Sequence, residues 1–83
     1  MRFLVVSRFK GPPTAEALAL LPEETARGLE LDAQGVREAL YLAADQSASY
    51  QVLRAADASA LDTVLQSLPL TPFVEHTITP LAD

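Results

Sequence analysis

Cysteine is absent from this 83-residue chain, which excludes disulfides and thiolate metal sites. Histidine occurs once, at His76, with no second histidine or carboxylate at ligand spacing, so no metal site is expected. The three glycines, Gly11, Gly28 and Gly35, form no phosphate-cradling loop. Ser7, Ser47 and Ser49 lack the context of a nucleophile elbow. Only six Lys and Arg stand against eleven Asp and Glu, a net charge of −5, which argues against a nucleic-acid surface. No apolar run is long enough to span a bilayer, and no membrane partner is expected. The start, MRFLVVSRFK, reads as a strand and not as a signal peptide, so the simplest location is the cytoplasm. What is present is a globular balance of 49% hydrophobic and 20% charged residues. The length suits one domain over 1–83, small enough that partner chains often help to stabilise it.

Residues 2–9, RFLVVSRF, are rich in β-branched and aromatic types and predict a first strand. Apolar groups on both its faces predict a central position. Pro12 and Pro13 end it. Thr14 is a candidate N-cap for a helix running to about Gln34, with Gly35 as its stop. Pro22 interrupts that helix and either kinks it or begins a fresh one. Residues 36–44 and 48–55 predict a hairpin around the turn residues Asp45, Gln46 and Ser47. Leu61, Val64, Leu65 and Leu68 fill a helical template capped by Asp57 or Ser59 and ended by Pro69. Residues 72–79 predict the last strand.

The order β-α-β-β-α-β specifies an α+β, ferredoxin-like fold. It is a four-stranded antiparallel sheet with both helices on one face. The other face is left uncovered although it carries apolar side chains. That predicts self-association, sheet against sheet, with two-fold symmetry.

Glu24 is the residue out of place. At about 100° per residue it joins Ala17, Leu20, Leu21, Gly28 and Leu31 on one side of the helix. Glu16, Glu23, Arg27 and Glu30 gather on a polar side. Gly28, one turn on, would leave space beside Glu24. Such a position would desolvate the carboxylate and favour its protonated form, which suits a general base. The alternative is an acidic residue in the first turn after Pro22, placed there by the helix dipole. Arg27 either neutralises a substrate carboxylate or makes a surface pair with Glu23 or Glu30. Arg37 and Tyr41 share a strand face and either line a pocket, with Tyr50 across the hairpin, or serve as packing or interface residues. His76, on a face with Val74 and Ile78, either transfers protons or packs at a subunit contact.

Leu68-Pro69-Leu70-Thr71-Pro72-Phe73, followed by Thr79-Pro80-Leu81-Ala82, resembles the ending of muconolactone isomerases. Glu30-Leu31, Gln34-Gly35 and the Glu24-x-x-Arg27 spacing fall in the same register, so the resemblance runs from about Pro13 to Ala82. It implies a dimeric α+β barrel that builds higher oligomers, a decamer in muconolactone isomerase itself. It implies a cofactor-free enzyme of aromatic catabolism that shifts a proton in an unsaturated lactone. Glu24 stands at the family's glutamate position. Thr25 stands where the family commonly has lysine, Arg37 and Ala39 where it has tryptophan and histidine, and Ser47 where it has an aromatic residue. These departures bear on the substrate more than on the fold.

The expectation is therefore an intramolecular isomerase acting on a small unsaturated lactone or similar enolisable acid. Glu24 would be catalytic; Arg27, Arg37 and Tyr41 would bind substrate. The alternatives are a non-catalytic ligand-binding or assembly module, and a monooxygenase-like or YciI-like enzyme on a dimeric barrel.

Overall fold

The computed structural model describes residues 1–82. Strand β1 spans Arg2–Phe9, and helix α1, Ala15–Ala19, follows the diproline turn. Thr14 caps α1 by accepting a hydrogen bond from the Ala17 N–H at 3.1 Å. Helix α2 spans Leu21–Ala33. The long helix is thus divided, with Pro22 in the first turn of the second piece, where its missing N–H leaves no bond unmade. Gly35, at φ 72°, takes the left-handed conformation that ends α2. Strands β2, Arg37–Leu42, and β3, Ser49–Arg54, form the hairpin. At its tip Asp45 Oδ1 accepts from the Ser47 N–H at 3.0 Å. Helix α3, Ala58–Gln66, is capped by Asp57, whose Oδ1 accepts from the Ala60 N–H at 2.8 Å. A short 3₁₀ turn, Thr71–Phe73, leads into β4, Val74–Leu81.

The strands lie in the order β2-β3-β1-β4, every neighbouring pair antiparallel, and β1 is central as predicted. The sheet is open. No described helix is long and apolar enough to cross a membrane.

The register assigns every side chain to a face. Phe3, Val5 and Ser7 of β1 lie opposite Leu53, Gln51 and Ser49 of β3, all on the helix side. Phe3, Val5, Leu31, Leu53, Leu61, Leu65 and Leu68 pack into the core. Leu4, Val6, Tyr50 and Val52 lie on the other face, half-buried, opposite the side on which Leu31, Leu61 and Leu65 of the helices pack.

A β-bulge between Arg37 and Ala39 corrects one expectation. An extra residue in one strand reverses the alternation beyond it. Arg37 pairs with Leu53 on the helix side, but Tyr41 pairs with Tyr50 on the outer side. Arg37 and Tyr41 therefore do not share a face.

Candidate active site

The core occupies one end of the space between helices and sheet. Toward Ser7 and His76, and out along β2 as far as Arg37, the layers part into a cleft of about 1100 Å³. Its lining includes Glu24, Leu21 and Thr25 of α2, Ser7 and Phe9 of β1, Leu40 and Leu42 of β2, and His76 of β4. Small apolar-walled clefts with a few convergent polar groups are the usual form of a small-molecule site.

Glu24 is half-buried in the cleft wall. Its Oε1 accepts a hydrogen bond from the Leu70 N–H at 2.9 Å. That contact ties α2 to the turn after α3 and fixes the carboxylate. Among the described residues, no protein group donates to Oε2. A carboxylate held by one oxygen and free at the other is suited to take a proton from a bound molecule.

Arg37 is the cation of this cleft. Its Nε donates to Asp32 Oδ1 at 2.7 Å and its Nη2 to Asp32 Oδ2 at 3.0 Å, a two-pronged pair. Its Nη1 lies 3.4 Å from Oε1 of the buried Gln51. The guanidinium beside Asp32 holds that carboxyl below its usual range. Gly28 explains how the guanidinium fits. A Cβ there would stand 2.7 Å from Nη1, 2.8 Å from Nη2 and 3.0 Å from Cζ of Arg37. The space at Gly28, expected to serve Glu24, is filled by Arg37.

Arg27 is placed elsewhere. Its Nε donates to Ser67 Oγ at 3.0 Å and its Nη1 to Glu30 at 3.3 Å, and it does not line the cleft. Tyr41, 68% exposed, lies on the outer sheet face. Of the four residues singled out from the sequence, the cleft brings together Glu24 and Arg37.

It also gathers residues that sequence reasoning did not combine. Ser7 and His76 are partners across β1 and β4, and Ser7 Oγ lies 2.7 Å from His76 Nδ1. His76 Nε2 lies 3.3 Å from Thr71 Oγ1, which donates in turn to the Leu65 carbonyl. Because the Thr71 hydrogen goes to Leu65, Thr71 can only accept from His76. The network therefore puts the imidazole hydrogen on Nε2 and leaves Nδ1 to accept from Ser7. Burial lowers the imidazole's affinity for a proton below its ordinary value. The sequence signals Ser7 alone and not its partner. Ser7 interrupts the apolar face of Phe3, Val5 and Phe9 as Glu24 interrupts the leucines of its helix.

Among the described residues, no group of three or more His, Cys, Asp or Glu could hold a metal ion.

The sequence model of the muconolactone delta-isomerase family matches residues 1–83. The fold is similar to a crystal structure of muconolactone isomerase, with a TM-score of 0.85 and 28% identity over 100% of this chain and 90% of that one. It is also similar to 5-chloro-2-hydroxyhydroquinone dehydrochlorinase from Burkholderia phenoliruptrix AC1100 in complex with 2,5-dihydroxybenzoquinone. There the TM-score is 0.66, with 14% identity over 99% of this chain and 94% of that one, a likeness of fold. No curated protein matches the sequence.

Proposed function

Because the chain belongs to the muconolactone delta-isomerase family, we propose that it moves a proton within an unsaturated lactone or a similar enolisable acid, without a cofactor. The observation that carries this reading is the placement of Glu24, half-buried in the cleft wall, held at Oε1 and free at Oε2. Glu24 takes a proton from a carbon next to the conjugated system. The charge left behind spreads over the allyl unit and the carbonyl oxygen. Glu24 then returns the proton at the far end, and the double bond shifts.

Arg37 holds the substrate carboxylate. Among the described residues, Asp32 and Gln51 occupy three of its five N–H donors, and the rest remain for a ligand. The reading gives Arg27 no part in binding, since Ser67 and Glu30 engage it outside the cleft. Tyr41 belongs with the uncovered face, where Leu4, Val6, Tyr50 and Val52 are suited to pair with a second copy. A cytoplasmic place in aromatic catabolism accompanies this reading.

The test is an isomerisation assay on muconolactone with wild type and Glu24→Gln. The amide keeps an oxygen for the Leu70 N–H but cannot take the proton. Turnover should fall by roughly 10²–10⁴-fold, the usual contribution of a general base. Undiminished turnover in the variant would place the base elsewhere.

A further inference from the structure

We infer that the substrate of this cleft carries an ionisable hydroxyl, enolic or phenolic, which lies against Ser7 and gives its proton to His76 through the Ser7 hydroxyl. The inference rests on the cleft and on Glu24 as its carbon base, and it adds to the enolisable acid of that reading a hydroxyl that muconolactone, its assay compound, lacks.

Thr71 is committed to the Leu65 carbonyl, so His76 Nε2 must donate to Thr71 and Nδ1 must accept. Ser7, 2.7 Å away, is the donor to Nδ1. Its single hydrogen is thereby used, and Ser7 offers the cleft only lone pairs. An acceptor-only group in an apolar wall repels a carboxylate or bare carbonyl and rewards a hydroxyl. Phe9 and Val74, partners on the next rung of the same two strands, form the apolar surround.

The proton step balances. The ligand O–H bond breaks as a new O–H bond forms on Ser7 Oγ, and the earlier Ser7 hydrogen passes to His76 Nδ1. The ligand becomes an enolate or phenolate, and His76 becomes an imidazolium that still donates to Thr71. No electrons are exchanged. Glu24 is held by the N–H of Leu70, the residue before Thr71, so both proton carriers hang from one turn. Burial disfavours a lone imidazolium, so His76 takes the proton only when the ligand's own negative charge is left beside it to offset the cost. Among the described residues, the other charged or titratable groups lining the cleft are Glu24 and Asp32 from α2 and Arg37 and Glu38 from β2; β1 contributes none.

Para-nitrophenol, whose anion is coloured, tests the inference against nitrobenzene, which lacks the hydroxyl. The measurement is made at a pH where the free phenol is mostly protonated. Because His76 is the only histidine, ¹⁵N-histidine labelling reports its ring without assignment. Wild type should show the hydrogen on Nε2 before addition. On binding the phenol it should develop the anion band, and its ring should move to imidazolium. Ser7→Ala and His76→Gln should lose the band, and nitrobenzene should bind at least about tenfold more weakly. Glu24→Gln should keep the ionisation while losing isomerisation, so the two readings fail separately. No anion band with wild type, bound or not, overturns the inference. So does an equal band in Ser7→Ala, or a ring hydrogen found on Nδ1.

Discussion

The helix-facing side of the sheet has two ends that differ in kind. At one, Phe3, Val5 and Leu53 meet Leu31, Leu61 and Leu65, and each is 2% exposed or less. At the other, two residues further along β1 and four back along β3, Ser7 and Ser49 replace apolar side chains and the layers separate. The same pair of strands supplies both ends, so packed core and cleft wall alternate along their length. The closed end gains from each methylene removed from water, at roughly 25 cal/mol per Å² of apolar surface. The open end leaves Leu21, Leu29 and Leu42 43%, 60% and 68% exposed, unfilled surface that a ligand would cover.

Substitutions should respect that division. Leu53→Ala, at 0% exposure in the closed end, should cost about 2–5 kcal/mol in urea unfolding, because transfer and cavity terms add. A loss under 1 kcal/mol would mean that the closed end does not carry the stability.

The next effect is a pH dependence. The folded-state pKa of His76 lies below 6.5. The unfolded chain therefore binds the proton more readily, and stability should fall as pH drops below about 6.5 until the folded value is passed. His76→Gln should remove that slope; an unchanged slope would assign it to another group. Asp32 acts lower on the scale. Its pKa, lowered by Arg37, gives stability present above about 3.8 and lost as pH falls through the folded value. The difference between wild type and Asp32→Asn in urea unfolding should accordingly vanish in acid.

The smallest effect on stability is expected at Gly28. Gly28→Ala improves helix propensity by up to about 1 kcal/mol. It also pushes the Arg37 guanidinium from its seat. Unfolding should change little while binding of an acidic lactone weakens. Unaltered binding would remove Arg37 from the ligand site.

Much of this was legible in residue patterns, because local periodicity sets the elements and their order. Thr14, Asp57 and Gly35 marked the helix ends, and Pro22 marked the break. Glu24 was legible because a carboxylate among leucines violates its stripe. The bulge at Arg37–Ala39 was not, since the strand pattern gives no sign of the inserted residue, and it moved Tyr41 to the outer face. The occupant of the Gly28 gap depended on the pairing of Arg37 with Leu53, which sets its face of the sheet. The Ser7–His76 pair depends on register between strands 69 residues apart, which neither segment encodes alone.

The central claim is that the open end does chemistry that the closed end only supports. The most direct measurement sets kcat on muconolactone for Glu24→Gln against the unfolding midpoint of the same preparation. A fall of about 10²–10⁴-fold in kcat is expected with the midpoint nearly unmoved, since the amide still accepts from Leu70. A variant that turns over like wild type would contradict it.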